Sequence, residues 1–272
     1  VSYADMVKLA GGTPIFIKGG LEQDFKASVQ QLEQAITEKT KIVIYSSPSN
    51  PTGSVFTLDE LKDIAKVLSA RKDIFVIADE IYEYINFTGK HHSMASFSEM
   101  AENTITVNGF SKGHAMTGWR VGYICAPVWI AKAAEKLQGQ MTSGNSSIAQ
   151  RAAYAATIGD MQPTKDMAAQ YLKRRDIVLE LLNQIPGVKT STPTGAFYVF
   201  PDISAYFGKK DGDTVINTAE DFSMYILNKA HVSLVTGDAF GAPECVRISF
   251  AASEEQLREA LKRMKEAMLK LY

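Results

Sequence analysis

Lys41-Ile42-Val43-Ile44-Tyr45, Thr57-Leu58-Asp59-Glu60 and Ile74-Phe75-Val76-Ile77-Ala78 decide the fold between them. The first and last are short apolar runs rich in β-branched residues, which suits strands covered on both faces. The middle stretch is a capping box: the Thr57 hydroxyl accepts the amide of Glu60, whose carboxylate reaches back. It opens a helix that carries Leu61, Ile64, Ala65 and Leu68 on one face. Strand, helix, strand at this spacing predicts an α/β fold with a largely parallel sheet and helices on its faces.

Working outward, Thr13-Pro14-Ile15-Phe16-Ile17 reads as a strand, and residues 26–36 as an amphipathic helix with Val29, Leu32 and Ile36 on one face. Thr104-Ile105-Thr106-Val107 and Val121-Gly122-Tyr123-Ile124-Cys125 extend the sheet. The pattern changes after Asp160. A long helix is predicted from about Met161 to Gln184, closed by Ile185-Pro186-Gly187, with an apolar stripe that reads as core packing. Shorter strands at 197–200, 233–236 and 246–250 follow, mixed with helices, and Ser253-Glu254-Glu255-Gln256 is a second capping box, opening a helix to Leu271. This mixture predicts a smaller α+β domain. The expected boundary lies near Pro163, giving residues 1–162 and 163–272.

The 272 residues hold 29 Lys+Arg against 30 Asp+Glu, a formal net charge of -1, with 46% hydrophobic and 22% charged residues. That composition excludes a disordered chain and, with no basic excess, argues against nucleic acid as a partner. No apolar run is long enough to span a bilayer, so no membrane partner is expected. Cys125 and Cys245 are too few for a disulfide framework and read as small buried hydrophobes in a reducing cytoplasm. The opening Val1-Ser2-Tyr3-Ala4-Asp5 has no initiator Met and no leader pattern, and reads as the middle of a domain.

In open α/β sheets, ligands bind beyond the carboxyl ends of the strands. Three predicted strands run into Asn50, into Asp79 and Tyr82, and into Ser111-Lys112, which delivers these residues toward one rim. Taken singly, each has a plain reading: Asn50 a turn residue before Pro51, Asp79 a helix cap, Lys112 a solvated loop lysine. His91, His92, His114 and His231 have no metal-ligand spacing, and no metal is expected.

Ser47-Pro48-Ser49-Asn50-Pro51-Thr52-Gly53, Ala78-Asp79-Glu80-Ile81-Tyr82, and Gly109-Phe110-Ser111-Lys112 through Met116-Thr117-Gly118-Trp119-Arg120-Val121-Gly122 resemble class I pyridoxal-phosphate aminotransferases. Asn145-Ser146-Ser147-Ile148-Ala149-Gln150, Gly195-Ala196-Phe197-Tyr198-Val199-Phe200-Pro201 and Val246-Arg247-Ile248-Ser249-Phe250 continue the resemblance in family order, nearest the prokaryotic aspartate branch. The resemblance implies the fold type I architecture and pyridoxal 5'-phosphate as cofactor. It implies that Lys112 forms the imine with the cofactor and then shuttles the substrate proton. Asp79 would keep the pyridine nitrogen protonated. Tyr82 and Asn50 would hydrogen-bond the ring's 3′ oxygen, with Asn50 also reaching the substrate carboxylate. Arg120 matches the phosphate-binding arginine and Arg247 the arginine that clamps the α-carboxylate. Ser111 reads equally as a phosphate donor or a turn residue, and Tyr198 reads first as core.

The substrates so implied are an L-amino acid, with aspartate the expected donor, and a 2-oxo acid, handled by a cytoplasmic homodimer. Two departures stand out. Gly109 replaces a phosphate-binding serine of many members, and roughly a quarter to a third of the usual family length is missing ahead of Val1. Two competing readings are a pyridoxal-phosphate carbon–sulfur lyase and an aminotransferase-like ligand-sensing domain of a transcription regulator.

Overall fold

The computed structural model describes residues 2–272; Val1, first in the opening run, lies outside them. The first half of the chain gives helix α1 (Tyr3–Leu9), α2 (Val29–Ala35), strand β1 (Ile42–Ser46), α3 (Leu58–Ser69), β2 (Phe75–Asp79), β3 (Thr104–Gly109) and β4 (Gly122–Cys125). Helices α4 (Val128–Met141), α5 (Ser147–Ile158) and α6 (Gln162–Leu182) follow. Then come β5 (Tyr198–Val199), β6 (Lys210–Asp211), β7 (Thr214–Val215), α7 (Ala219–Ala230), β8 (Val235–Thr236), β9 (Val246–Ser249) and α8 (Glu254–Met268).

By compactness the chain divides into two units. One takes the residues up to Lys26, Asn50–Ser54 and Ala169–Tyr272; the other takes Ala27–Ser49 and Val55–Ala168. The expected boundary near Pro163 falls in the first turn of α6, and the units part further along that helix, at Ala168 and Ala169. Asn50–Ser54 and the residues up to Lys26 join the C-terminal unit, an interleaving that no single cut in the sequence expresses.

The sheet-bearing unit holds β1, β2, β3 and β4 in that spatial order, the first three parallel and β4 antiparallel to β3. The crossover helix α3 forms where the capping box predicts. The Thr57 hydroxyl accepts the Glu60 amide at 3.2 Å, and the Glu60 carboxylate accepts the Thr57 amide at 2.7 Å. Leu61, Ile64, Ala65 and Leu68 are all buried, as the stripe predicts. Central strand β2 buries Val76 and Ala78 completely. Edge strand β1 departs from expectation: it is only half-buried and Ile42 is 51% exposed, because it has a strand neighbour on one side alone. The other edge, β4, is exposed throughout, so Cys125 is exposed rather than buried. Cys245 is buried as expected, and burial pushes its thiol pKa up.

The second unit carries a three-stranded antiparallel sheet in the order β5, β9, β8, and the β6–β7 pair. Helix α8 starts at the predicted capping box, Ser253 accepting the Gln256 amide at 3.3 Å. Leu257, Leu261 and Met264 on α8 and Phe222, Tyr225 and Ile226 on α7 are buried, and these two helices pack on each other. The apolar stripe of α6 is core, with Ile177, Val178 and Leu182 buried. Thr13–Ile17 forms no strand. Ile15 and Phe16 are 72% and 67% exposed, and no strand among the described residues pairs with the run. Its β-propensity has no ladder to express it. Among the described residues no helix is long and apolar enough to cross a membrane.

Gly53 ties the chain of this unit together. Its φ is +70°, and its carbonyl accepts the amides of Thr194 at 2.9 Å and Gly195 at 2.8 Å. A Cβ there would stand 2.5 Å from Pro193 Cβ and 2.7 Å from the Gly195 carbonyl oxygen. Both the left-handed backbone and the crowding oppose a side chain, so Gly53→Ala is expected to lose about 3 kcal/mol of stability. A urea titration that finds the variant within about 0.5 kcal/mol of wild type would contradict this.

Candidate active site

The parallel strands end together. Ser46 on β1 is opposite Asp79 on β2, and Asp79 is opposite Val107 on β3. Beyond that edge the chain turns sharply. The Asp79 carbonyl accepts the Ser47 amide at 3.1 Å, and its carboxylate Oδ1 accepts the Ile81 amide at 3.2 Å. The turn buries Tyr82, which is 2% exposed. Lys112, delivered by the loop after β3, sets its Nζ 5.6 Å from the centre of the Tyr82 ring. Asp79, Tyr82 and Lys112 are thus brought to the carboxyl edge of one sheet, where an open α/β fold holds its ligands.

The loop that carries Lys112 begins at Gly109, which lies opposite Gly122 on β4. A Cβ on Gly109 would stand 2.9 Å from both the Gly122 Cα and the Val121 carbonyl oxygen. A serine here would need the facing β4 backbone to shift by a few tenths of an ångström or more. Past it, the Met116 amide donates to the Phe110 carbonyl at 3.2 Å, the Thr117 hydroxyl to the Ser111 carbonyl at 2.9 Å, and the Ala115 amide to the Lys112 carbonyl at 3.1 Å. Ser111 is half-buried within this loop. Arg120 adopts a left-handed backbone, φ +54°, which an arginine takes only where its surroundings impose it. Its exposed guanidinium donates to the Thr117 carbonyl at 3.1 Å.

The second unit holds Asn50 and Arg247 together, although they are far apart in sequence. Arg247 Nη1 donates to Asn50 Oδ1 at 2.8 Å. Buried Val246 and Ile248 anchor β9 on either side of Arg247. The guanidinium carbon lies 4.5 Å from the Tyr198 ring centre and 5.3 Å from that of Phe240. Two aromatic rings and one amide oxygen fix the plane of the fork, as a bidentate carboxylate site requires. Tyr198 is buried, 6% exposed, and also supports the arginine, so the core reading covers half of its role. Phe240 is a residue that sequence reasoning missed. Gly237-Asp238-Ala239-Phe240 forms a short 3-10 helix, and only the fold sets the Phe240 ring beside Arg247.

Sequence reasoning also missed the surroundings of Glu80. This buried carboxylate accepts the Ser93 hydroxyl at 2.6 Å and meets His91 Nε2 at 2.9 Å. Glu80, Glu83 and His91 offer ligand atoms within 4.8 Å of one another. A ligating histidine normally donates through its second nitrogen, whereas His91 Nδ1 is buried with no partner. The cluster reads as an internal tie that steadies the turn following Asp79. His114 packs against the Tyr84 and Phe110 rings at 5.4 and 5.2 Å, and burial lowers its pKa. His231 ends α7 with a φ of +53°.

Residues 1–264 match the family model described as aminotransferase class I and II. The chain is 45% identical to a bifunctional aspartate aminotransferase and glutamate/aspartate-prephenate aminotransferase of Petunia hybrida, over 99% of this chain and 57% of that protein. It is 42% identical to an aspartate aminotransferase of Geobacillus stearothermophilus, over 98% of this chain and 67% of the relative. It superposes on the crystal structure of the aspartate aminotransferase from Rhizobium meliloti with a TM-score of 0.95 at 37% identity, covering all of this chain and 68% of that one. The chain therefore spans between half and about two thirds of the length of these proteins.

Proposed function

The chain belongs to the class I and II aminotransferases, and from that premise we propose that the protein moves an amino group from an L-amino acid to a 2-oxo acid with pyridoxal 5'-phosphate as cofactor. One observation carries the reading: Lys112 Nζ above the Tyr82 ring at the sheet edge where Asp79 ends β2. The donor set fits the cofactor, with an amine for its aldehyde, a carboxylate for its pyridine nitrogen and a phenol for its ring oxygen. Arg120 and Ser111 offer a guanidinium and a hydroxyl for its phosphate. When bound, pyridoxal phosphate supplies an electron sink that makes the α-hydrogen of an amino acid acidic.

In this reading Lys112 holds the cofactor aldehyde carbon. Its Nζ would also be the base that holds and moves the substrate's α-proton. Asp79 keeps a proton on the ring nitrogen. Tyr82 and Asn50 donate to the ring oxygen, and Arg120 anchors the phosphate. Asn50 also orients Arg247, whose fork takes the α-carboxylate. Residues 1–162 would serve as the cofactor-binding part and 163–272 as the linking helix and small domain. Aspartate is the proposed donor, because the Petunia and Geobacillus relatives are named for it. A homodimer in the cytoplasm is the assembly and place we propose. Neither a carbon–sulfur lyase nor a regulator's sensing domain draws support from these relatives.

Arg247 separates substrate recognition from cofactor chemistry. Arg247→Lys keeps the charge without the fork, and Arg247→Ala leaves the carboxylate unpaired, at a cost of roughly 2–5 kcal/mol in kcat/KM. A transamination screen should show similar losses for every amino donor, with the bound cofactor's absorbance retained. Release of pyridoxal phosphate, or a loss confined to dicarboxylic donors, would reassign the arginine.

A further inference from the structure

Helix α6 reaches back to the lysine loop through one side chain. Thr164, in its first turn and 7% exposed, donates its hydroxyl to the Gly113 carbonyl at 2.9 Å in a buried contact spanning 51 residues of sequence. The carbonyls of Phe110, Ser111 and Lys112 are met from within the loop, by Met116, Thr117 and Ala115. The Gly113 carbonyl is met from outside it, by Thr164. Gly113 has no side chain because Tyr84 occupies the space; a Cβ would stand 2.6 Å from Tyr84 Cδ2. Tyr84 therefore covers this peptide on one side while Thr164 holds its oxygen. A buried carbonyl without a donor is costly, so a loop that lost this bond would move to recover one.

We propose that Thr164 is a positioning residue for Lys112, fixing the Gly113–His114 peptide one residue beyond it and hence the direction in which its amine leaves the loop. The inference rests on the reading of Lys112 as the cofactor lysine. Ala115 at φ +52° keeps the loop in a conformation that a non-glycine residue holds only under constraint, and the Thr164 bond supplies that constraint.

The test compares Thr164→Val, which keeps the shape and loses the donor, with Thr164→Ser, which keeps the donor. Two readouts are taken: hydrogen exchange of peptides in the cofactor-free protein, and the pH profile of trapping pyridoxal phosphate on Lys112 with cyanoborohydride. Thr164→Val is expected to speed exchange at Ala115 and Met116 about tenfold while exchange in β2 stays at its wild-type rate. Its trapping rate at Lys112 should fall about fivefold or more with a displaced pH profile, and Thr164→Ser should restore both. If Thr164→Val does not fold, Thr164→Ala carries the same comparison. Unchanged loop exchange and trapping, equal acceleration in the loop and β2, or no rescue by serine would each overturn the proposal. Wild-type protein that is not labelled at Lys112 would overturn the cofactor reading instead, and the exchange arm would still decide whether Thr164 holds the loop.

Discussion

Lys112→Ala is expected to abolish transamination, a loss on the order of 10⁴-fold or more, because the same amine both captures the cofactor and moves the substrate proton. The fold should survive. Lys112 sits in a loop whose closing bonds use the backbone and the Thr117 and Thr164 side chains, so removing the lysine side chain leaves them in place. The decisive measurement is borohydride reduction of cofactor-loaded protein followed by peptide mapping. A pyridoxyl group on Lys112, absent from the alanine variant at an unchanged urea midpoint, is the expected result. A label on another lysine would remove Lys112 from the reaction.

Asp79→Asn is expected to harm turnover far more than folding or cofactor retention. The amide oxygen can still accept the Ile81 amide that Asp79 Oδ1 now accepts at 3.2 Å, so the turn after β2 has no reason to open. What asparagine lacks is the negative charge that keeps a proton on the pyridine nitrogen. Removing a charge-assisted contact at such a site costs on the order of 3 kcal/mol of transition-state stabilisation, about a hundredfold in rate. Single-turnover kinetics alongside the cofactor dissociation constant separate the two effects. Near-wild-type turnover would exclude Asp79 from the chemistry.

Much of the fold was legible because the signals were local. The Thr57 and Ser253 capping boxes lie within one helical turn, and both form as read. The runs around Val43 and Val76 become parallel strands because α3 between them leaves few other arrangements, and the run around Ile105 pairs parallel beside them. Thr13–Ile17 failed because a strand needs a neighbour, and apolar composition does not supply one. The exposure of Ile42 and Cys125 comes from their places at sheet edges, a fact of strand order that no window of residues contains.

Lys112, Asp79 and Tyr82 were legible as strand-end residues, and their sheet edge gathers them as expected. Asn50, read as a further strand-end residue, accepts from Arg247, and the two are grouped in the other unit. The Phe240 ring beside Arg247 and the Thr164 hydroxyl on Gly113 had no sequence signal, since both partnerships exist only once distant segments pack.

The Gly53 carbonyl has a consequence for the order of assembly. It receives the amides of Thr194 and Gly195, so the two sides of this junction lie before and after nearly the whole sheet-bearing unit in the chain. That unit has all its residues once Ala168 has left the ribosome, and its strand–helix–strand contacts are short in sequence. The other unit can join Gly53 to Thr194 and Gly195 only after the long stretch of chain between them has been made, and β9 and α8 come later still. Its contacts are the more distant in sequence, so this junction is expected to form after the sheet-bearing unit has folded.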